Sequence, residues 1–446
     1  MVSSQSSIGQ TMWDWANDLF PICRSLTGPG VRQTLDYLGE RLPGLVQHAV
    51  PSGTPAFDWI VPDEWKIRDA YVADESGRRV IDFAESNLHL MGYSTPIDTW
   101  MTRDELDAHL YSLPDQPDAI PYVTSYYRRR WGFCLTDNKR KALPEGRYHV
   151  VIDAELSAGV LNYGELILPG RENKEILLST YICHPSMANN ELSGPVVTAA
   201  LAQWLSELTD RRYTYRIIFV PETIGSIVYL SRHLDEMKAN TIAGFVVSCV
   251  GDDRTYSYLA SRNGNTLADR AALHVLNRHA PGFERYSFLS RGSDERQFGS
   301  PGVDLPVCSI LRTRYASYPE YHTSLDNMDL ITPSGLEGGF NMLKRAISAI
   351  EANRVPQATF PCEPHYSKYG LKGSLVGGQS LPAVEALRSN IVAYADGTLD
   401  LIAMAELFGK DIMDIDRVAT ELERVGIIRC DPPIPDMLPG TANHTR

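Results

Sequence analysis

The sequence predicts an α/β protein: a mostly parallel sheet with helices on both faces, plus a mainly-β insert domain and a small winged-helix domain. Three observations carry this. From about Gly164, apolar β-type runs alternate with stretches of helical period, the pattern that lays strands in parallel and covers both faces of the sheet. Before it, Phe57 to about Leu156 holds short β-type runs broken by Pro, Gly and Asp. After it, Leu381 to Cys430 holds three amphipathic helical stretches that end in the short β-like "IIRC".

Taken in order, residues 1–55 are expected as helices packing on the α/β domain. They are "TMWDWANDLFPICRSL" and "GVRQTLDYLGERLPGL", the second with Val31, Leu35, Leu38 and Leu42 at roughly helical spacing. Residues 56–160 are expected as the inserted β domain, with runs "AYVADESGRRVIDF", "AIPYVTSYY" and "GRYHVVIDAEL" and hairpin chemistry at "DESGRR". Residues 161–360 form the α/β domain. Its strands are "EILLSTYIC", "YRIIFVP", "IAGFVVSCVG" and "LPVCSILR"; its helices are "GPVVTAALAQWLSEL", "GSIVYLSRHLDEM", "LADRAALHVLNRHA" and "GLEGGFNMLKRAISAIEANR". Residues 378–435 form the winged helix, from "AVEALRSNIVAYA", "LDLIAMAELFG" and "IDRVATELERVG", before a polar tail "PGTANHTR".

Composition narrows the function. With 446 residues, 43% of them hydrophobic, the chain can bury a large core and is too long for one ordinary domain. No apolar run reaches 18 residues, and the first twenty lack the basic and apolar regions of a secretory signal, so a cytoplasmic protein with no membrane partner is expected. Seven scattered cysteines without a close pair read as reduced thiols, mostly in the core. The formal charge of −13 argues against nucleic acid and favours a cationic or amine-bearing substrate. The densest basic cluster, "YYRRRWGF" at Tyr126 to Phe133, reads as a strand whose alternate side chains pack. From Leu381 onward six Lys or Arg face eleven Asp or Glu, so the winged helix is expected to pack or to support a homo-oligomer rather than to read DNA.

Three expected strand ends carry residues of catalytic type: His184 in "CHPSMANNELSG", Glu222 in "FVPETIGS" and His322 in "YPEYHTSLDNMD". In open α/β sheets, sites lie at the carboxyl ends of the strands. A catalytic zinc ion needs neutral imidazoles, usually a carboxylate, and one position open to water, which His184, His322 and Glu191 can supply. Glu222, between a strand and a helix start, is the natural general base.

The stretches "SNLHLMGYSTP", "QPDAIPYVTSYY", "RWGFCLT", "CHPSMANNELSGP", "PETIGSI", "GSDERQF" and "PEYHTSLDN" resemble the bacterial aminopeptidase-like domain proteins. These belong to the zinc aminopeptidase and glutaminyl cyclase superfamily and carry an inserted β domain and a C-terminal winged helix. In the wider superfamily two zincs share a bridging aspartate, whose place here is Asn190, with a carboxylate one position on at Glu191. The superfamily's glutamate pair falls on Glu222 and Thr223, so the base is kept and the ligand lost. A further aspartate ligand falls about at Ser248, the two histidines match His184 and His322, and Asp294 matches an acidic position near the metal. The resemblance therefore implies one zinc per chain, held by His184, His322 and one further group. Glu191 is favoured for that group by charge and Asn190 by position. Arg291 and Glu295, beside Asp294, read as surface charges.

The expected function is a zinc-dependent hydrolase of aminopeptidase type, acting on a small peptide or amino-acyl conjugate, and the resemblance also implies a place in a biosynthetic pathway. Two alternatives stand beside it: amide exchange, transacylation or cyclisation at the same zinc, and a catalytically silent binding protein.

Overall fold

The computed structural model describes residues 7–371 and 382–431; the polar tail and the two ends of the 378–435 stretch lie outside them. The chain divides into two compact units, Met1–Arg262 with Glu284–Asn341, and Asn263–Phe283 with Met342–Arg446.

The first unit is built on an eight-stranded sheet. Its order is Val46–Pro51, Val160–Leu168, Tyr213–Val220, Glu172–Tyr181, Thr241–Val246, Val307–Leu311, Ser257–Leu259, Glu284–Tyr286. The middle strands run parallel, and the pairings of Val160–Leu168 with both its neighbours are antiparallel. The central strand explains the continuous apolar reading of "EILLSTYIC": Ile176, Leu177 and Leu178 are wholly buried, as a strand covered on both faces requires. Helix Ser193–Glu207 follows it and is buried over most of its surface. Gly194 lets that helix start against the sheet, because a Cβ there would lie 2.4 Å from the Val247 carbonyl oxygen and 2.5 Å from Thr180 Oγ1.

Beside this sheet, Arg79–Asp82, Glu64–Ala73, Arg147–Ser157 and Ile97–Thr102 form a four-stranded sheet in that order, with antiparallel pairing throughout. The "DESGRR" turn joins its first two strands. Asp74 accepts from the Ser76 and Arg78 amides at 3.0 and 3.1 Å, and Gly77 takes the left-handed φ of 81°.

Three readings of this unit need correction. Val46–Pro51, taken with the N-terminal helices, is an edge strand of the main sheet; Pro43 and Gly44 close the helical region ahead of it. "AIPYVTSYY" makes only isolated bridges, Pro121 with Thr323 and Gly92 with Thr124. "YYRRRWGF" is a bent loop up to Gly132, fastened by Ser125 Oγ donating to the Arg128 carbonyl at 2.7 Å, with Arg128, Arg129 and Arg130 exposed; only its last residue opens a strand, Phe133–Cys134, which pairs with Leu110–Tyr111. In both cases β-type residues serve the walls of a loop, and tertiary contact overrides propensity.

In the second unit helices Ala383–Tyr394, Leu401–Phe408 and Ile412–Arg424 precede strand Ile428–Asp431, which pairs antiparallel with Val355–Ala358. Helix Leu267–His279 belongs to the same unit. There Arg270 forks onto Asp400, and the Ile412 amide donates to His274 Nε2 at 3.1 Å. Among the described residues no helix is long and apolar enough to cross a membrane. No cysteine is disulfide-bonded, and four of the seven are buried.

Candidate metal centre and active site

The carboxyl ends of the two neighbouring central strands deliver the first groups. Two residues beyond Tyr181 comes Cys183, then His184; two beyond Val220 comes Glu222. The backbone there is unusual: Ser186, Thr223, Cys249 and His322 all hold positive φ without being glycine, at 31°, 64°, 50° and 57°. Such conformations cost of order 1–3 kcal/mol each and cluster where function demands a particular aim.

His184 is buried, and its two ring nitrogens face two carboxylates. Nδ1 is 2.7 Å from Glu191 Oε2, and Nε2 is 3.6 Å from Glu222 Oε2. The other Glu191 oxygen faces Arg24, whose Nε lies 3.6 Å away and also donates to the His184 carbonyl at 2.9 Å. Both Arg24 and Glu191 are fully buried. Cys183 Sγ accepts the Glu222 amide at 3.2 Å, and the ligating atoms of Cys183, His184 and Glu191 lie within 4.8 Å of one another.

His322 arrives from the far side. Its ring centroid is 5.4 Å from that of His184, Tyr321 stacks on it at 3.9 Å, and Tyr122 lies 5.2 Å from both histidine rings. Tyr122 comes from the loop misread as a strand, held because its amide donates to the His322 carbonyl at 2.8 Å. The histidine loop is tied to the turn Ala188–Leu192 by Asp326. Its carboxylate accepts the amides of Ala188, Asn189 and Asn190 at 3.1, 2.6 and 2.9 Å, and the Tyr318 hydroxyl at 3.1 Å. Asn190 itself donates through Nδ2 to the Tyr181 hydroxyl at 3.1 Å.

Asp294 sits behind Glu222: Oδ1 accepts the Thr223 amide at 2.7 Å and the Ser226 hydroxyl at 2.8 Å. Ser293 Oγ donates to Glu222 Oε1 at 2.6 Å. Glu295 is no surface charge. It is 1% exposed and accepts from the amides of Gly292 and Ser293 and the Tyr315 hydroxyl. Arg291 is exposed.

All six residues singled out in the sequence, His184, Asn190, Glu191, Glu222, Asp294 and His322, thus belong to one neighbourhood. Four of their atoms are buried without a hydrogen-bond partner: His322 Nε2, Asn190 Oδ1, Asp294 Oδ2 and Glu191 Oε1, the last facing Arg24 at 3.6 Å. Native structures rarely leave such groups orphaned without a purpose. Burial and the neighbouring His184 push His322 down to about 3, so it is neutral across the physiological range. Burial, then the Glu222 charge, raises Asp294 to about 7. Burial raises Glu222 and lifts Asp326 to about 6. Burial resists a charge on His184, but Cys183 and Glu191 beside it prevail and raise it well above the usual histidine range.

Sequence reasoning missed Arg24, Tyr122, Tyr181, Tyr318 and Asp326. Asp326 stood four places after His322 in a quoted motif, so its acidic side chain was a usable signal; nothing local marks Arg24, 160 residues from the histidine it touches.

Together the fold and the site define an α/β protein of the aminopeptidase-like class. The chain belongs to the family described as domain of unknown function DUF4910, whose model matches residues 13–353, and a winged helix-turn-helix model matches 354–430. A Clostridium acetobutylicum protein named "Putative polysaccharide biosynthesis protein with aminopeptidase-like domain" is 42% identical over 96% of this chain and 98% of its own length. The crystal structure of a "putative peptidase" from Clostridium acetobutylicum superposes with a TM-score of 0.89 at 41% identity, covering 95% of this chain and 96% of that one. The zinc aminopeptidase BSAP from Bacillus subtilis matches at a TM-score of 0.56 and 11% identity, over 76% of this chain and 93% of that one, a likeness of fold.

Proposed function

We propose that the chain is a zinc-dependent hydrolase that cleaves the amide bond next to a free amine in a small peptide or amino-acyl conjugate. The carrying observation is the meeting of two imidazoles, 5.4 Å apart by ring centroid, with Glu222 3.6 Å from His184 Nε2. The residues fit a divalent ion. His322 Nε2 and Asn190 Oδ1 are buried and lack protein partners, and His184 Nε2 is presented because Glu191 occupies Nδ1. A carboxylate behind a ligating histidine is the usual support of a zinc site. The opposite arrangement would place the ion among Cys183, His184 Nδ1 and Glu191. It is disfavoured because the Arg24 cation already faces Glu191 and burial pushes the Cys183 thiol up to about 11. We therefore assign Glu191 to orienting His184, and His184, His322 and Asn190 to holding one zinc.

When bound, zinc would polarise the scissile carbonyl and acidify a water. Glu222, steadied by Ser293, takes the proton from the attacking water and hands it to the leaving nitrogen as the C–N bond breaks and the water oxygen joins the acyl carbon. Asp294 holds the Thr223 amide and so fixes the turn that aims Glu222. The acidic interior suits a substrate amine, and the winged helix is read as a packing or self-association module rather than a nucleic-acid reader. The test is metal analysis with a screen of amino-acyl amides. About one zinc per chain and turnover of at least one amide are expected, and His184→Ala and His322→Ala should each lose both. Two tightly held zincs, or metal kept by both variants, would reject the assignment.

A further inference from the structure

Four residues past Tyr122, the same loop lines a second feature. Tyr126, Tyr127, Arg128 and Arg129 close one side of a cavity of about 110 Å³, and Pro62, Asp63, Tyr93 and Leu156 close the other. That is about three or four water volumes, room for one small polyatomic anion. The loop itself ties the cavity to the centre: four residues before Tyr126, the Tyr122 ring lies 5.2 Å from the rings of both His184 and His322.

Its charge is the reverse of its surroundings. The protein is strongly acidic overall, and the interior of the site carries Glu222 and Asp294. The cavity instead carries Arg128 and Arg129 against the single carboxylate of Asp63, with Arg130 next in the chain. Arg129 leans on Asp63 only at 3.4 Å with most of its side chain exposed, and the Arg128 side chain makes no hydrogen bond or ion pair among the described residues. Aromatic walls with planar guanidinium forks suit an anionic oxygen group, which accepts paired N–H donors. A solvated surface pair would need no such cavity.

We infer that this cavity is the subsite for the part of the substrate beyond the cleaved bond, and that it takes an anionic group, a carboxylate or a phosphate-like acid. The inference rests on the hydrolase reading. It makes the substrate dipolar: amine inward among the carboxylates, anion outward on Arg128 and Arg129. Long neutral peptides are then poor substrates.

Three compounds sharing one amino-acyl group test it: a dipeptide with a free carboxylate, its aminomethylphosphonate counterpart and a neutral methylamide. The full-length protein should show kcat/KM at least tenfold higher for one or both anionic compounds, and whichever leads identifies the group. Arg128→Gln/Arg129→Gln should cut the anionic-to-neutral ratio at least tenfold. Salt should cut it too, since exposed charges are screened. Equal turnover of the three, or a preference that survives the double substitution, overturns the proposal. If nothing is turned over, the hydrolase reading fails by itself, and calorimetric titration with inorganic phosphate decides on the subsite. Binding that weakens at least tenfold in the double variant supports it; binding that is absent, or unchanged by the substitutions, overturns it.

Discussion

On strand Tyr213–Val220, Arg216 meets Glu175 through two 2.8 Å bonds, Glu165 at 3.1 Å, Glu236 at 2.9 Å and the Tyr229 hydroxyl at 2.8 Å. Just past the other end of that strand, Glu222, His184 and His322 surround atoms that the protein leaves unbonded. Both clusters bury charge in the same unit. The first satisfies its members and is architecture, since a satisfied polar network rigidifies what surrounds it. The second keeps acceptors in reserve and aims them with strained backbone, which makes sense only if something else is to bind.

The comparison can be broken by substitution on either side. The largest change is expected from Glu222→Gln: turnover should fall roughly 10²–10⁴-fold in a steady-state assay, while elemental analysis finds zinc retained. Loss of metal instead would make Glu222 a ligand. On the architectural side, Arg216→Met leaves Glu175 without its cation. It should cost about 3–5 kcal/mol in denaturant unfolding without altering zinc stoichiometry in the folded fraction. A smaller step is expected from Glu191→Gln. A chelator competition should show zinc affinity weakened about 10–100-fold rather than abolished, and complete loss would return Glu191 to the ligand set.

The last effect is graded with pH and touches stability alone; it concerns a third histidine, which accepts instead of waiting. His274 is buried, takes the Ile412 amide on Nε2, and is lowered by that burial to about 4. The unfolded chain, titrating near 6.5, binds more protons between those values, so stability is full above about 6.5 and falls as pH drops towards 4. Unfolding followed across that window should lose at most about 3 kcal/mol from this group, and the loss should shrink in His274→Gln.

Legibility followed locality. The alternation of "EILLSTYIC", "GPVVTAALAQWLSEL" and "YRIIFVP" was readable because each element satisfies its own period, and the site histidines because they sit at ends of such elements. The edge strand Val46–Pro51 was not, since an exposed six-residue stretch carries almost no periodic signal. Nor was the loop at Tyr122 to Arg130: its aromatic and β-branched residues look like a strand, and only its contact with the His322 loop decides otherwise. Arg24 was invisible for the same reason, as its partners His184 and Glu191 exist for it only in three dimensions.

Asp326 carries a consequence of its own. Because one carboxylate receives three successive amides of the turn bearing Asn190 and Glu191, and lies four residues from His322, the two loops that bring the histidines share a single fastening. Neither can be lengthened, shortened or re-aimed alone without releasing the other. Variation among proteins built this way should therefore concentrate in the outer loop of tyrosines and arginines, leaving the geometry around the two histidines inherited as one indivisible part.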